Sequence, residues 1–182
     1  MLSAIVGPLS WAVGDGTAVA ATTTQTSLLT GVAATGKWAM PGGYFIAPGQ
    51  MLRITASGRI STPAATQGNI TFTLAVGAVN ACVSPTFVSL ASQTNITWEL
   101  SWVITCRAVG DGTTTTLMHT GVLTTALVSA TNLNNLIPAT APAVGTGFAA
   151  NTAATVDLQV TWSNATAGNT IQLHQYLLES VV

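Results

Sequence analysis

The side chains able to do acid–base or metal chemistry are few: His119 and His174, the carboxylates Asp15, Glu99, Asp111, Asp157 and Glu179, and the thiols Cys82 and Cys106. Catalysis needs such groups held together, as a base beside a nucleophile or as carboxylates across a cleft. Glu99 and Asp157 fall on the polar positions of alternating segments and could flank a glycosidic bond. The simpler reading makes both solvated charges, or partners for Arg107 and Arg53. His174 lies between Gln172 and Tyr176, near Asp157 and Glu179 in sequence or pairing, and a metal would want both histidines converging with carboxylates. Isolated histidines in strands are usually structural, and both are read so. No HExxH, GxSxG, Walker loop or strand-following GxGxxG is present. The cysteines have neither CxxC nor metal-ligand spacing, and nothing in the spacing supports a disulfide between them. Val-Gly-Asp-Gly-Thr occurs at Val13–Thr17 and again at Val109–Thr113. One carboxylate per loop is too few for calcium, so both copies are expected to be tight turns. No catalytic residue, metal site or cofactor is expected, and the chain does not read as an enzyme.

Charge content is the outlier. Asp, Glu, Lys and Arg make up 5% of the 182 residues, whereas an ordinary soluble domain carries about 25%. About one residue in six is threonine. A surface of Thr, Ser, Asn, Gln and Ala has little charge to hold copies apart and desolvates at low cost, which suits a broad, permanent interface. The net charge is −1, and Arg53, Arg59 and Arg107 are isolated from one another, so electrostatic capture of nucleic acid is not expected. Hydrophobic residues reach 48%, yet no segment is long and apolar enough to cross a membrane.

The elements that must carry these residues read as strands. Leu52, Ile54 and Ala56 alternate with Arg53, Thr55 and Ser57, and Ile60 continues the pattern past a bulge expected at Gly58. Ile70 to Val76, Ile96 to Ala108 and Val156 to Trp162 alternate in the same way. The thirteen residues of the 96–108 run make a strand of roughly 40 Å, expected to bend and serve both ends of a sandwich. In the last strand Ile171, Leu173 and Gln175 are expected on one face, with Gln172, His174, Tyr176 and Leu178 on the other. Shorter strands are expected at Thr26–Leu29, Gly43–Ala47, Phe87–Leu90 and Thr114–Thr120, making eight or nine in all. Leu127 to Ala154, rich in Ala, Asn, Gly and Pro, reads as a long surface excursion that could carry a recognition loop. The fold class is therefore all-β: an antiparallel two-sheet sandwich, jelly-roll-like, with an ordered N-terminal arm. Residues 1–22 are assigned to the arm and 23–182 to the sandwich. Ala18-Val19-Ala20 has the look of a signal-peptidase site, but no Lys or Arg precedes the apolar stretch and glycines interrupt it. The arm is read instead as docking on a neighbour.

Several segments resemble a widespread group of tailed-bacteriophage structural proteins. They are Ser27-Leu28-Leu29-Thr30-Gly31 with Lys37-Trp38, Leu52 through Ser61, Asn95 through Leu100 with Thr105 through Ala108, Pro142 through Phe148, and Ile171 through Ser180. The closing Ile-Gln-Leu-His-Gln-Tyr-Leu-Leu-Glu-Ser is the most specific of these. The resemblance implies a virion component and carries over no catalytic residue. It implies a jelly-roll decoration or cement protein on the phage head, a homotrimer whose partners are its own copies and the major capsid protein. The alternative is a tail, baseplate or head-fibre protein that binds a host receptor or glycan. The residues expected to form the assembly interface are Met1, Leu2, Ile5, Trp11, Trp38 and Tyr176. Trp98, Trp102 and Trp162 lie on apolar faces and are expected in the core.

Overall fold

The computed structural model describes residues 7–31 and 36–181. Its described strands are β1 (Gly7–Trp11), β2 (Val19–Ala20), β3 (Thr26–Ser27), β4 (Trp38–Met40), β5 (Met51–Thr62), β6 (Ile70–Val76), β7 (Val79–Val83), β8 (Gln93–Ala108), β9 (Thr116–Thr125), β10 (Asn134–Ile137), β11 (Ala154–Trp162) and β12 (Thr170–Ser180). They form two antiparallel sheets. The larger runs β1-β12-β5-β8-β9-β10, with β2 also on β12, and the smaller runs β3-β11-β6-β7, with β4 also on β11. The chain passes between the sheets repeatedly, so strands distant in sequence become neighbours.

Alternation explains why these segments pair as they do. On β5 the residues Leu52, Ile54, Ala56 and Ile60 are buried, and on β8 so are Trp98, Leu100, Trp102, Ile104 and Cys106. Their faces meet β6 and β11 of the other sheet, whose Ile70, Phe72, Leu74, Val156, Leu158, Val160 and Trp162 are buried in turn. Phe72 and Trp98 touch across the gap, with ring centroids 5.5 Å apart. Burying a large apolar side chain contributes about 1.5–3 kcal/mol, so this one continuous core dominates the fold's stability. β8 is longer than the alternating run alone indicates, and it lies in the larger sheet between β5 and β9.

Gly58 is not a bulge. It continues the ladder, opposite Leu173 on one side and Trp98 on the other. The bulge lies on the adjacent strand, where the register shifts between Leu173 and Gln175 and His174 is the extra residue. That single insertion flips the parity of β12. Ile171 and Leu173 before it, and Tyr176 and Leu178 after it, all face the core. The expected split of these residues between two faces is thereby corrected. Gly58 is required because β12 crowds it: a Cβ there would stand 1.9 Å from the Gln172 carbonyl oxygen.

Several local expectations change. Residues 43–47 form no strand, and Trp38–Met40 pairs with β11 instead. Phe87 makes only an isolated bridge to Ile70. The 127–154 stretch is not a free excursion, since it supplies β10 and two further bridges, Thr115 to Phe148 and Met118 to Val144. The described part of the 1–22 arm is not separate from the sandwich either, because β1 and β2 are hydrogen-bonded to β12. The two Val-Gly-Asp-Gly-Thr copies differ. Gly112 in the second takes φ +67° in a turn, whereas Gly16 in the first bridges to Gly31.

Gly58→Ala is expected to destabilise the fold by about 2–4 kcal/mol, because the methyl group meets backbone rather than a movable side chain. Urea unfolding monitored by tryptophan fluorescence would show the midpoint falling with an unchanged slope.

Candidate assembly surface

The chemically capable side chains do not converge. Glu99 and Asp157 point outward from different sheets, on opposite sides of the sandwich, and cannot bracket one bond. Arg53 pairs with Glu179 (3.2 Å), directly opposite it across β5 and β12, and not with Glu99 or Asp157. His174, at the bulge, places Nδ1 2.7 Å from Asp15 Oδ1. His119 is buried, and its Nδ1 accepts a hydrogen bond from Trp102 Nε1–H (2.9 Å). Cys82 and Cys106 are free, buried thiols, both pushed up by desolvation. Among the described residues, no three His, Cys, Asp or Glu side chains gather as a metal site requires.

Asp157 is the one buried carboxylate, and two neutral donors and one cation hold it. Ser27 Oγ–H donates to Oδ1 (2.6 Å), Gln159 Nε2–H to Oδ2 (2.9 Å), and Lys37 Nζ lies 3.3 Å from Oδ2. Gln159 is bonded in turn to Gln25, which reaches Asn80 on β7. This chain of amides and hydroxyls crosses the outer face of the smaller sheet from β3 to β7. It accounts for a buried charge in a sheet whose outer face is otherwise uncharged in its strands.

The outer face of the larger sheet has a different character. The register places Trp11, Leu177, Thr55, Ser101, Val122 and Leu136 in one transverse row, one residue from each of the six strands. Trp11 is 54% exposed and Leu136 69% exposed, so the row carries large apolar groups at both ends. Beside it runs Glu179, Arg53, Val103 and Thr120, in which the two charges neutralise each other. Met51, Thr105 and Met118 form a third row, with exposed Val144 bridged to Met118. At about 4.8 Å between strands and about 3.4 Å per residue, the face measures roughly 25 by 40 Å, or on the order of 1,000 Å². That exceeds the ~800 Å² per partner of a standard specific interface.

The predicted interface residues divide. Trp11 stands exposed on β1, at the edge of the larger sheet. Trp38 is half-buried, edge-on to Tyr44 with centroids 4.6 Å apart, and shares with Trp11, Leu9, Val13 and Lys37 a groove of about 340 Å³. Tyr176 is corrected: the bulge at His174 turns it into the core, where it is 4% exposed, and burial, then the charge of Asp157, raises its phenol pKa. Met1, Leu2 and Ile5 lie outside the described residues. Leu136, Val122 and Leu177 were not foreseen. Val122 and Leu177 adjoin recognisable apolar runs, but their outward parity depends on register and on the bulge. Trp98, Trp102 and Trp162 are in the core as expected.

No family model, curated protein or solved structure matches the chain.

Asp157→Ala is expected to lower unfolding free energy by about 1–3 kcal/mol, since it strands the donors of Ser27 and Gln159. Lys37→Ala, which removes a partly exposed partner, should cost under about 1 kcal/mol. Equal losses in chemical denaturation would contradict this assignment.

Proposed function

We propose that the chain is a structural protein of a tailed-bacteriophage virion, a capsid decoration (cement) protein that acts by binding and not by catalysis. In this reading it is a jelly roll that assembles as a homotrimer and sits across subunits of the major capsid protein on the head surface. The observation that carries the proposal is the outer face of the larger sheet, a broad surface whose transverse row has Trp11 and Leu177 at one edge and Val122 and Leu136 at the other, with the paired Arg53 and Glu179 beside it and Arg59, Glu99 and Arg107 as the further charges. Such a surface loses little hydration free energy on burial, and at about 25 cal/mol per Å² each copy gains from the apolar part of what it covers. Three linked copies multiply that gain, because the second and third contacts form at high effective concentration. The strand order supports the jelly-roll assignment: the first described strand and the last lie side by side, and the chain crosses several times between the two sheets. The resemblance of the closing segment, Ile171 to Ser180, supports the phage origin.

A host-receptor or glycan-binding protein of the tail, baseplate or head fibre is the second reading. The groove between Trp11 and Trp38 favours it, as aromatic faces serve as platforms for sugar rings.

In light scattering after size exclusion, the purified protein is expected to run at about three times its 18.4 kDa chain mass. It should co-sediment with purified heads to a saturating stoichiometry and raise the temperature at which they release DNA. Val122→Glu with Thr55→Glu, both on exposed or half-exposed positions, should leave unfolding within about 0.5 kcal/mol while weakening assembly or head binding at least about tenfold. A monomer that ignores heads overturns the proposal. Saturable binding to a glycan, lost in Trp11→Ala, would replace it with the second reading.

A further inference from the structure

β9 is covered along its outer edge in two pieces. β10 pairs with residues 121–124, and a returning strap, residues 138–148, pairs with residues 115–118. The strap is held by Gly145 N–H to Leu117 O (2.8 Å) and by Phe148 N–H to Thr115 O (2.9 Å). It also passes hard against the other sheet, since a Cβ on Gly145 would stand 1.8 Å from the Ala81 carbonyl oxygen of β7. The strap therefore closes one side of the sandwich, joining β9 to β7. Between the strap's last pairing, at Met118, and the first of β10, at Gly121, the ladder has a gap, and His119 sits in that gap.

His119 forms one wall of a cavity of about 300 Å³ whose other walls include Asn80, Ala81 and Val83 of β7 and Pro138, Val144 and Gly145 of the strap. Its Nδ1 accepts the Trp102 indole N–H, and the two rings meet edge-on with centroids 5.2 Å apart. None of the residues lining the cavity carries a charge. Toward the core the nearby strands β7 and β8 supply only the buried thiols Cys82 and Cys106, which desolvation keeps protonated, and Glu99 and Arg107 of β8 lie on its exposed outward face. No carboxylate faces the ring.

We propose that His119 is an acid-operated latch, and that its protonation releases the 138–148 strap from β9 and β7. The neutral ring accepts the indole N–H at Nδ1. Protonation turns Nδ1 into a donor facing another donor, so that hydrogen bond is lost and an uncompensated cation is left in neutral surroundings. The ring then moves toward the cavity and water, and the strap is what blocks its way. Burial lowers the imidazole pKa below its ordinary 6.5. The open or unfolded form therefore binds the proton more tightly than the closed form. Closure is fully favoured above about pH 6.5 and weakens as the pH falls below it.

Amide exchange followed by NMR from about pH 7.5 to about pH 4.5 tests the latch, with rates corrected for the intrinsic effect of pH. Protection of the Gly145 amide should drop at least about tenfold with a midpoint matching the His119 ring titration, while Ile54 in β5 stays protected. In His119→Asn, Oδ1 can replace Nδ1 as acceptor for Trp102 but does not titrate, and Gly145 should remain protected throughout. Full protection of Gly145 while His119 protonates would overturn the proposal. So would the same loss in His119→Asn, which would place the transition elsewhere in the molecule. If the variant does not fold, agreement or disagreement of the two wild-type midpoints still decides.

Discussion

Pairing of β5 with β8 is the constraint on which the other elements depend. These two strands register from Met51 with Thr105 to Thr62 with Gln93, and every second residue of each enters the core. Because a strand's side chains alternate strictly, slipping this pair by one residue would expose Trp98, Leu100 and Trp102 and bury Arg53 and Glu99. The cost of that exchange pins the register. β12 and β9 then align on either flank, and the apolar face so formed can be covered only by the matching face of β6 and β11.

Scarcity of charge shapes what lies outside the core. With nine ionisable Asp, Glu, Lys and Arg residues in the chain, the loops are joined more by neutral hydrogen bonds than by ion pairs. Asn169 shows how this works. Buried completely, it accepts the Gly68 N–H and donates to Asn164 Oδ1, and Asn164 in turn donates to the carbonyls of Thr66 and Gln67. The same economy applies to Asp157, whose partners are mainly hydroxyl and amide. Neutral bonds of this kind are insensitive to salt and leave the exterior free of strong fields. Such an exterior can meet another neutral surface without a large desolvation cost, which is the property the proposed assembly role needs. It also makes a single buried titratable group such as His119 more consequential, since no nearby countercharge offsets its protonation.

Legibility followed burial. Leu52 to Ile60, Ile70 to Val76, Ile96 to Ala108 and Val156 to Trp162 each have one face in the core, so their period of two is written in residue type. The short strands were harder to read. β4 and β10 have too few residues to show a period, and β10 exposes Leu136 because its place is set by pairing with β9. The bulge at His174 had no local signal. It is visible only once β12 is laid beside β5, where the apolar residues on either side of it must both face inward. Gly58 reads as a bulge in the sequence, but it stays in the ladder, and its need for glycine comes from the neighbouring strand's approach. The identical pentapeptides at 13–17 and 109–113 part company because one abuts the sheet at Gly31 and the other closes a turn.

From its amino acids alone the chain was committed to two antiparallel sheets with a tryptophan-rich core and a nearly uncharged exterior. Alternation and composition are properties of each segment in itself, and hydrophobic burial acts on them wherever the segment is placed. Which outward residues would share a row was decided only in three dimensions. Trp11, Leu177, Val122 and Leu136 come from four distant segments, and one extra residue at His174 sets the parity of Leu177. The same holds for His119, whose surroundings are built by a strap returning from beyond β10. Register and chain crossings are collective outcomes of packing, and no single segment contains them.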